Sequence, residues 1–461
     1  MNQTVQKSIS LTPHHFPDLT LGQKISVVIG ITGLMIGIIA STSTEARTVA
    51  NLAISLSFIS IGVIAYSWLS YKKESDGIKN NLVWFKSLTS RGLWAWITAL
   101  VITGFYILLY FFPGALGLNK INNTGLVGLF DPLSVWIKHK PATQWFVYGV
   151  LYTMAILLFG IKFLWKYRHN QYQRLRTLSV MFFQLCFAFT IPELLERLNQ
   201  PSMDLKNMWP LNYYFFFDWN LDKLIQGGTL GIFLLGWGIL MIFIISPILT
   251  YFYGKRWYCS WVCGCGGLAE TAGDPFRHLS DKTLKAWKVE RWLVHSVLVL
   301  IVIVTLLVLY TYITGNSQVL FLNSFTLREW YGFFIGSIFS GVIGVGFYPL
   351  MGSRVWCRFG CPMAAILGIQ QKFFSRFRIT TNGGQCISCG NCSTYCEMGI
   401  DVRHYAQRGQ NIVRASCVGC GICAAVCPRG VLKLENGSVD IHQRTSDLKV
   451  LKLDQKGVHF D

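Results

Sequence analysis

The sequence predicts a mainly α fold: a polytopic helical membrane protein of about eight transmembrane helices, carrying a small C-terminal α+β domain. Three observations predict it. Of 461 residues, 52% are hydrophobic and only 14% charged, where a soluble chain carries about 25%, and the mean hydropathy is +0.41. Apolar blocks of about 20 residues, the length that crosses a hydrocarbon core, recur up to residue 350. Cysteine then changes the character of the chain, because thirteen of the fourteen lie after residue 258.

The blocks centre near 25–43, 50–70, 93–112, 145–165, 177–193, 229–252, 292–314 and 330–350. Gln184 and Pro192 interrupt the fifth. The first has a long polar lead and a second span close behind it, which favours an uncleaved helix over a signal peptide. The domains expected are an N-terminal segment 1–24, a transmembrane domain 25–350, a connector 351–384, a cysteine-rich domain 385–437 and a tail 438–461.

A formal net charge of +19 would suggest nucleic acid in a soluble domain. Here the basic residues gather in alternate inter-helix loops: Lys72, Lys86 and Arg91; Lys162, Lys166, Arg168, Arg174 and Arg176; Lys255, Arg256, Arg277, Lys282 and Lys285. That bias is the orientation signal of a membrane protein. It excludes nucleic acid as a partner, leaves membrane lipid, and puts both termini in the cytoplasm of a bacterial inner-membrane protein. Two opposite-face loops, 113–144 and 194–228, hold Trp136, Trp209, Tyr213, Tyr214 and Trp219. They read as interfacial anchors or as a docking lid. Glu193 and Glu196 sit at the same face, either solvating a helix end or offering a proton exit.

The strongest local signal is CISCGNCSTYC at 386–396 with CVGCGICAAVCP at 417–428. Each run is C-x2-C-x2-C-x3-C, the spacing of bacterial two-cluster ferredoxins, in which the fourth cysteine of each run ligates the other cluster. Cys386, Cys389, Cys392 and Cys427 are therefore assigned to one [4Fe–4S] cluster, and Cys417, Cys420, Cys423 and Cys396 to a second. Zinc sites use paired C-x2-C elements or histidine and fit poorly. Glu397 stands where a proline often follows, with no effect expected on ligation.

A repeat precedes these runs. Gly254-x-Arg256-x-x-Cys259-x-x-x-Cys263 follows the sixth span and Gly352-x-Arg354-x-x-Cys357-x-x-x-Cys361 follows the eighth, suggesting two helix ends related by a local pseudo-twofold. A C-x3-C pair on a helix puts both thiols on one face. Three readings stay open for Cys259, Cys263, Cys357 and Cys361: a third iron–sulfur cluster, a redox-active dithiol set, or zinc. Cys265 is a substitute ligand in any of them. Lys255, Arg256, Arg354 and Arg358 would either raise the potential of a cluster at the membrane edge or anchor at headgroups. Paired intramembrane histidines and C-x-x-C-H are absent, which removes haem. No nucleotide fingerprint sits in a strand–helix context, which removes nicotinamide. A quinone stays open.

With CRFGCP at 357–362 and both four-cysteine runs, the chain resembles the membrane polyferredoxins of the NosR/NapH/CcoG type, in which spans end in C-x3-C-P motifs and a cytoplasmic two-cluster ferredoxin follows. The likeness covers about 229–435. The first motif departs from it, with Gly264 in place of proline and Cys265 added. The resemblance implies an electron-transfer subunit rather than a stand-alone enzyme, relaying single electrons between a quinol or cytoplasmic donor and a membrane or extracytoplasmic partner. Redox proteins are then expected as partners at both faces. The alternatives are an assembly or maintenance factor for a respiratory metalloenzyme and an iron–sulfur redox sensor.

Overall fold

The computed structural model describes residues 19–72, 86–319 and 322–436, with two short paired strands at Leu451–Asp454 and Gly457–Phe460. Most of the N-terminal segment and of the tail lie outside the described residues. Among the described residues, seven helices are long and apolar enough to cross a membrane: α1 Leu21–Thr42, α2 Val49–Tyr71, α3 Leu93–Phe111, α4 Gln144–Lys166, α5 Gln171–Arg197, α6 Gly228–Tyr253 and α7 Leu284–Thr314. Side chains of Thr20, Thr48, Thr143, Asn170 and Thr283 accept backbone hydrogen bonds at the starts of α1, α2, α4, α5 and α7, satisfying donors that a helix start leaves open. α1 and α2 form a hairpin packed through small residues. A Cβ on Gly33 would sit 2.8 Å from Ser55 O, and one on Gly62 would sit 2.7 Å from Gly30 N. Close backbone approach of this kind is how helices associate where lipid removes the hydrophobic drive.

The expected eighth span differs. Residues 324–343 are helical, but Ser324–Tyr331 carries Arg328 and Glu329, and Gly332–Ile343 is wound as a π-helix. The polar lead leaves too short an apolar run to qualify on composition. Connectivity still makes it a returning pass. α7 starts beside the cysteine-rich domain and ends on the far side at Thr314, whereas Gly352 is back against Ser280.

Both Cys-x3-Cys repeats form re-entrant hairpins rather than helix ends at a membrane surface. After α6 the chain runs inward through Arg256–Cys259 and turns back as Gly264–Thr271. Ser179 Oγ donates to Trp261 O at 2.9 Å, a Cβ on Gly264 would lie 2.7 Å from Gln184 Oε1, and one on Gly267 would meet Val180. These partners lie well inside α5. The second repeat does the same with Val355–Phe359 and Pro362–Phe374.

The cysteine-rich domain closes over the two hairpins. Phe377–Thr381 pairs antiparallel with Leu432–Asn436, from Phe377 opposite Asn436 to Thr381 opposite Leu432. Bundle side chains reach its backbone: Tyr172 Oη donates to Gly419 O, Gln173 Nε2 to Cys420 O, Ser260 Oγ to Val418 O, and Gln371 Nε2 to Cys417 O, all at 2.8–2.9 Å.

A buried ion-pair network fastens the seat. Glu397, fully buried, pairs with Arg277 at 2.6 Å and Arg354 at 3.0 Å. Glu270 pairs with Arg176 and, at 2.6 Å, with Arg354. Asp274 holds Lys162, Lys166 and Arg277 at 2.7–3.0 Å. Burial opposes ionisation of Glu397, but Arg277 and Arg354 overcome it and hold its carboxyl down at about 2. Replacing one partner of a buried pair strands the other charge and costs about 3–5 kcal/mol. Glu397→Gln is therefore expected to lower the thermal unfolding temperature in detergent by several degrees and to speed proteolytic release of the 377–436 domain. An unchanged melt would contradict this reading of the seat.

Candidate metal centres

The two four-cysteine runs fold alike. Each turns through left-handed residues, Ser388 (φ 59°) and Gly390 (φ 79°) in the first, Gly419 (φ 62°) and Gly421 (φ 74°) in the second. Glycine takes this conformation without strain, and Ser388 is the non-glycine exception. Each turn opens a short helix, Asn391–Thr394 or Ile422–Ala425. Cys386, Cys389, Cys392 and Cys427 line one cavity. Cys423 has Cys420, Cys417, Cys396 and Cys392 as its electrostatic neighbours. The four thiols of the cavity are those that spacing assigns to one cluster, and the remaining four, Cys396 among them, are those it assigns to the second.

The thiols suit a metal centre chemically. Burial pushes Cys392 and Cys417 up to about 11, and each group offers sulfur without histidine, the donor set of an iron–sulfur cluster. Glu270, Glu397 and Cys420 also lie within 4.8 Å of one another, but both carboxylates are engaged by arginine, so this trio belongs to the ion-pair network.

The two hairpins make Cys259, Cys263, Cys357 and Cys361 buried neighbours of one another, within the core that also contains Met208 and Met241. Two expectations need correction. The thiols of each pair do not share a helix face: Cys259 ends one short helix and Cys263 caps the next, while Cys357 lies in Val355–Phe359 and Cys361 caps Pro362–Phe374. The group also lies deep in the bundle rather than at the membrane edge. Three π-helical segments, Phe183–Thr190, Met241–Ile245 and Gly332–Ile343, supply Gln184, Met241 and Phe339 around the hairpins. Such segments often mark functional sites.

Arg354 joins this group to the cysteine-rich domain. Its Nη1 donates to Cys259 O at 3.2 Å and lies 3.6 Å from Cys357 Sγ, while Nη2 holds Glu270 and Glu397. The other basic residues of the repeats part ways. Lys255 Nζ donates to Ala415 O at 2.5 Å and Arg358 pairs with Glu290 at 2.7 Å, both buried. Arg256 stacks over Phe377 and donates to Asn436. Headgroup anchoring is thus excluded for Lys255, Arg354 and Arg358, and Arg256 is turned to the cysteine-rich domain.

The second aromatic loop is likewise corrected. Trp136 and Trp219 are exposed, as anchors should be, but residues 203–217 fold back into the bundle. Trp209 Nε1 donates to Thr305 Oγ1 at 2.9 Å, and Leu205 O accepts from Trp237. The fold-back carries Lys206, which sequence reasoning missed. Its Nζ would lie 3.6 Å from a Cβ on Gly264, between Cys263 and Cys265, and it pairs with Asp204 at 3.1 Å. Burial disfavours this charge, but Asp204 and Cys263 hold the ammonium above its ordinary value. Glu193 and Glu196 are not a free acidic pair, since Lys138 holds both at 3.2 Å.

Cys265 lies two residues beyond Cys263 and faces a cavity of about 210 Å³. Its lining includes Tyr110, Tyr148, Tyr152, Tyr348, Ser353 and Trp356 beside Cys357. Among the described residues, Ser353 Oγ and Trp356 Nε1 are buried there without a hydrogen-bond partner.

Two family models match this architecture. A 4Fe-4S dicluster domain matches residues 385–432, and a 4Fe-4S binding domain matches twice, at 235–283 and 332–380, once over each hairpin repeat. With seven apolar helices, these define the class: a multi-pass iron–sulfur electron-transfer protein. Among curated proteins the chain is 28% identical over 182 residues to "Putative electron transport protein YccM" of Escherichia coli, covering 36% of this chain and 46% of that one. It is 26% identical over 166 residues to an uncharacterized protein of Methanocaldococcus jannaschii, covering 34% and 58%. The chain spans about half the length of the curated relatives it matches. No solved structure matches it significantly.

A buried unit charge within about 8 Å is worth about 2 kcal/mol at an effective dielectric near 20. Asp204 offsets part of that, so Lys206→Met should lower the midpoint potential of a metal centre on Cys259, Cys263, Cys357 and Cys361 by on the order of 50 mV. Lys206→Arg should restore most of it. A potentiometric titration that leaves this centre unmoved in Lys206→Met would remove the lysine from its electrostatics.

Proposed function

We propose that the chain relays single electrons between a soluble carrier and a membrane quinone, through three [4Fe–4S] clusters held by Cys386, Cys389, Cys392 and Cys427, by Cys417, Cys420, Cys423 and Cys396, and by Cys259, Cys263, Cys357 and Cys361. The membrane polyferredoxins of the NosR/NapH type are the nearest pattern, with the cysteine-rich domain and both termini in the cytoplasm. The observation that carries the reading is the serial order of the thiol groups. The first is at the outer end of the domain, the second touches the hairpins through Val418 and Cys417, and the third opens on the cavity through Cys357.

When bound, each cluster supplies a one-electron step without bond making or proton transfer. The chain's own residues do the rest. Arg354 spans the gap between the second and third groups and places fixed positive charge there. Ser353 and Trp356 present two buried donors that lack an acceptor, and leaving them unmet costs about 1–3 kcal/mol each. A quinone ring, with two carbonyl oxygens and a planar apolar body, meets them. The tyrosines supply apolar walls with polar tips.

The test uses protein in nanodiscs, reduced with dithionite, desalted and mixed with a naphthoquinone while visible absorbance follows cluster oxidation. Oxidation is expected in the wild type, slowed about tenfold in Ser353→Ala and in Trp356→Phe. No oxidation by quinone would refute the quinone end of the relay, and wild-type rates in both variants would refute this cavity as its site.

A further inference from the structure

The two ends of the cysteine-rich domain are chemically opposite. The inner end is sealed against the bundle, with Gly419 O, Cys420 O and Val418 O taken by Tyr172, Gln173 and Ser260. At the outer end, Cys389 is the one exposed cysteine of the eight in the two runs. Its turn also exposes Ile387, at 49%, and Ser388. An exposed branched apolar side chain beside a redox-active thiol group is a poor solvent surface and a good contact surface.

Arginines ring it. Arg403 and Arg429 line the same cavity as the four thiols, and Arg403 Nη1 would lie 3.9 Å from a Cβ on Gly390. Arg403, Arg408 and Arg429 are exposed, and among the described residues none is paired with a carboxylate. The contrast with the interior is sharp, where Arg176, Arg277, Arg354 and Arg358 each hold one. Asp401, the nearby acid, is engaged by Ser393 Oγ at 2.6 Å. The domain's hydrogen bonds to the bundle come from Gly419, Cys420 and Val418, not from this turn.

We propose that this face docks an acidic one-electron carrier protein of the ferredoxin or flavodoxin class. Carboxylates of the carrier oppose Arg403, Arg408 and Arg429, and its redox group sits over the Ile387–Ser388–Cys389 turn. One electron crosses between the carrier and the thiol-bound centre beneath; no bond forms or breaks and no proton moves. The inference rests on the relay reading for its purpose, but the docking itself is a matter of charge and shape. Such complementarity governs encounter more than final affinity and weakens with salt.

The test is binding of purified flavodoxin to the full chain in nanodiscs of neutral phosphatidylcholine, read by thermophoresis at low and high salt. The Kd is expected to rise about tenfold with salt, and about tenfold at low salt in Arg403→Glu/Arg429→Glu compared with wild type at matched iron content. The salt series on wild-type protein needs no variant. No flavodoxin binding, or equal binding by wild type and double variant, would overturn the proposal. So would loss of flavodoxin binding to competing anionic vesicles that themselves bind in an arginine-dependent way, which would assign the face to lipid. An iron-free preparation that still binds flavodoxin would fail the relay and leave the docking face standing.

Discussion

The rest of the molecule depends on one buried contact, the clasp of Arg354 on Glu270 and Glu397. Arg354 belongs to the second hairpin, Glu270 to the first, and Glu397 to the cysteine-rich domain directly after Cys396. Three chain segments that would otherwise drift apart meet at one guanidinium, whose planar fork suits several carboxylate oxygens at once. Taking these charges out of water is costly, and pairing offsets that cost only in this one arrangement. The contact therefore fixes where the domain sits, and with it the spacing of the thiol groups.

The hairpins follow from the same constraint. A polar backbone deep in a bundle is tolerated only where protein surrounds it, and both repeats end their inward leg at a cysteine buried among Met208, Met241 and each other. Gly266 shows how tight the fit is, since a Cβ there would lie 2.0 Å from Cys259 O and 3.0 Å from Arg354 Nη1. The same closeness gives function its geometry: a sulfur-lined interior, with a tyrosine-lined cavity on one side and a ferredoxin-type domain on the other.

Much of this was legible in the sequence, for identifiable reasons. Helices α1–α4, α6 and α7 announce themselves because lipid demands long apolar runs, and the ferredoxin cysteines because a cube of iron and sulfur demands fixed loop lengths. The hairpin repeat was visible as Gly-x-Arg-x-x-Cys-x-x-x-Cys, but its depth was not, because nothing local distinguishes a helix end at the surface from one that turns inward. Lys162, Lys166, Arg176, Arg277 and Lys255 counted as orientation signals, yet they are largely buried in ion pairs and backbone contacts within the protein. Their partners lie up to 160 residues away in sequence, beyond any local pattern. Glu397 did leave a signal, as a carboxylate where the motif often has proline. Lys206 left none, because the fold-back of its loop is a tertiary event.

The central claim is that the hairpin tips hold a metal centre of their own. The direct measurement is iron and acid-labile sulfide on anaerobically purified protein, with EPR after reduction, beside a variant in which Cys259, Cys263, Cys357 and Cys361 are all alanine. The account predicts about twelve irons per chain, falling to about eight in a variant that keeps the dicluster signal. About eight irons in both would contradict it and leave the hairpin thiols without a cluster.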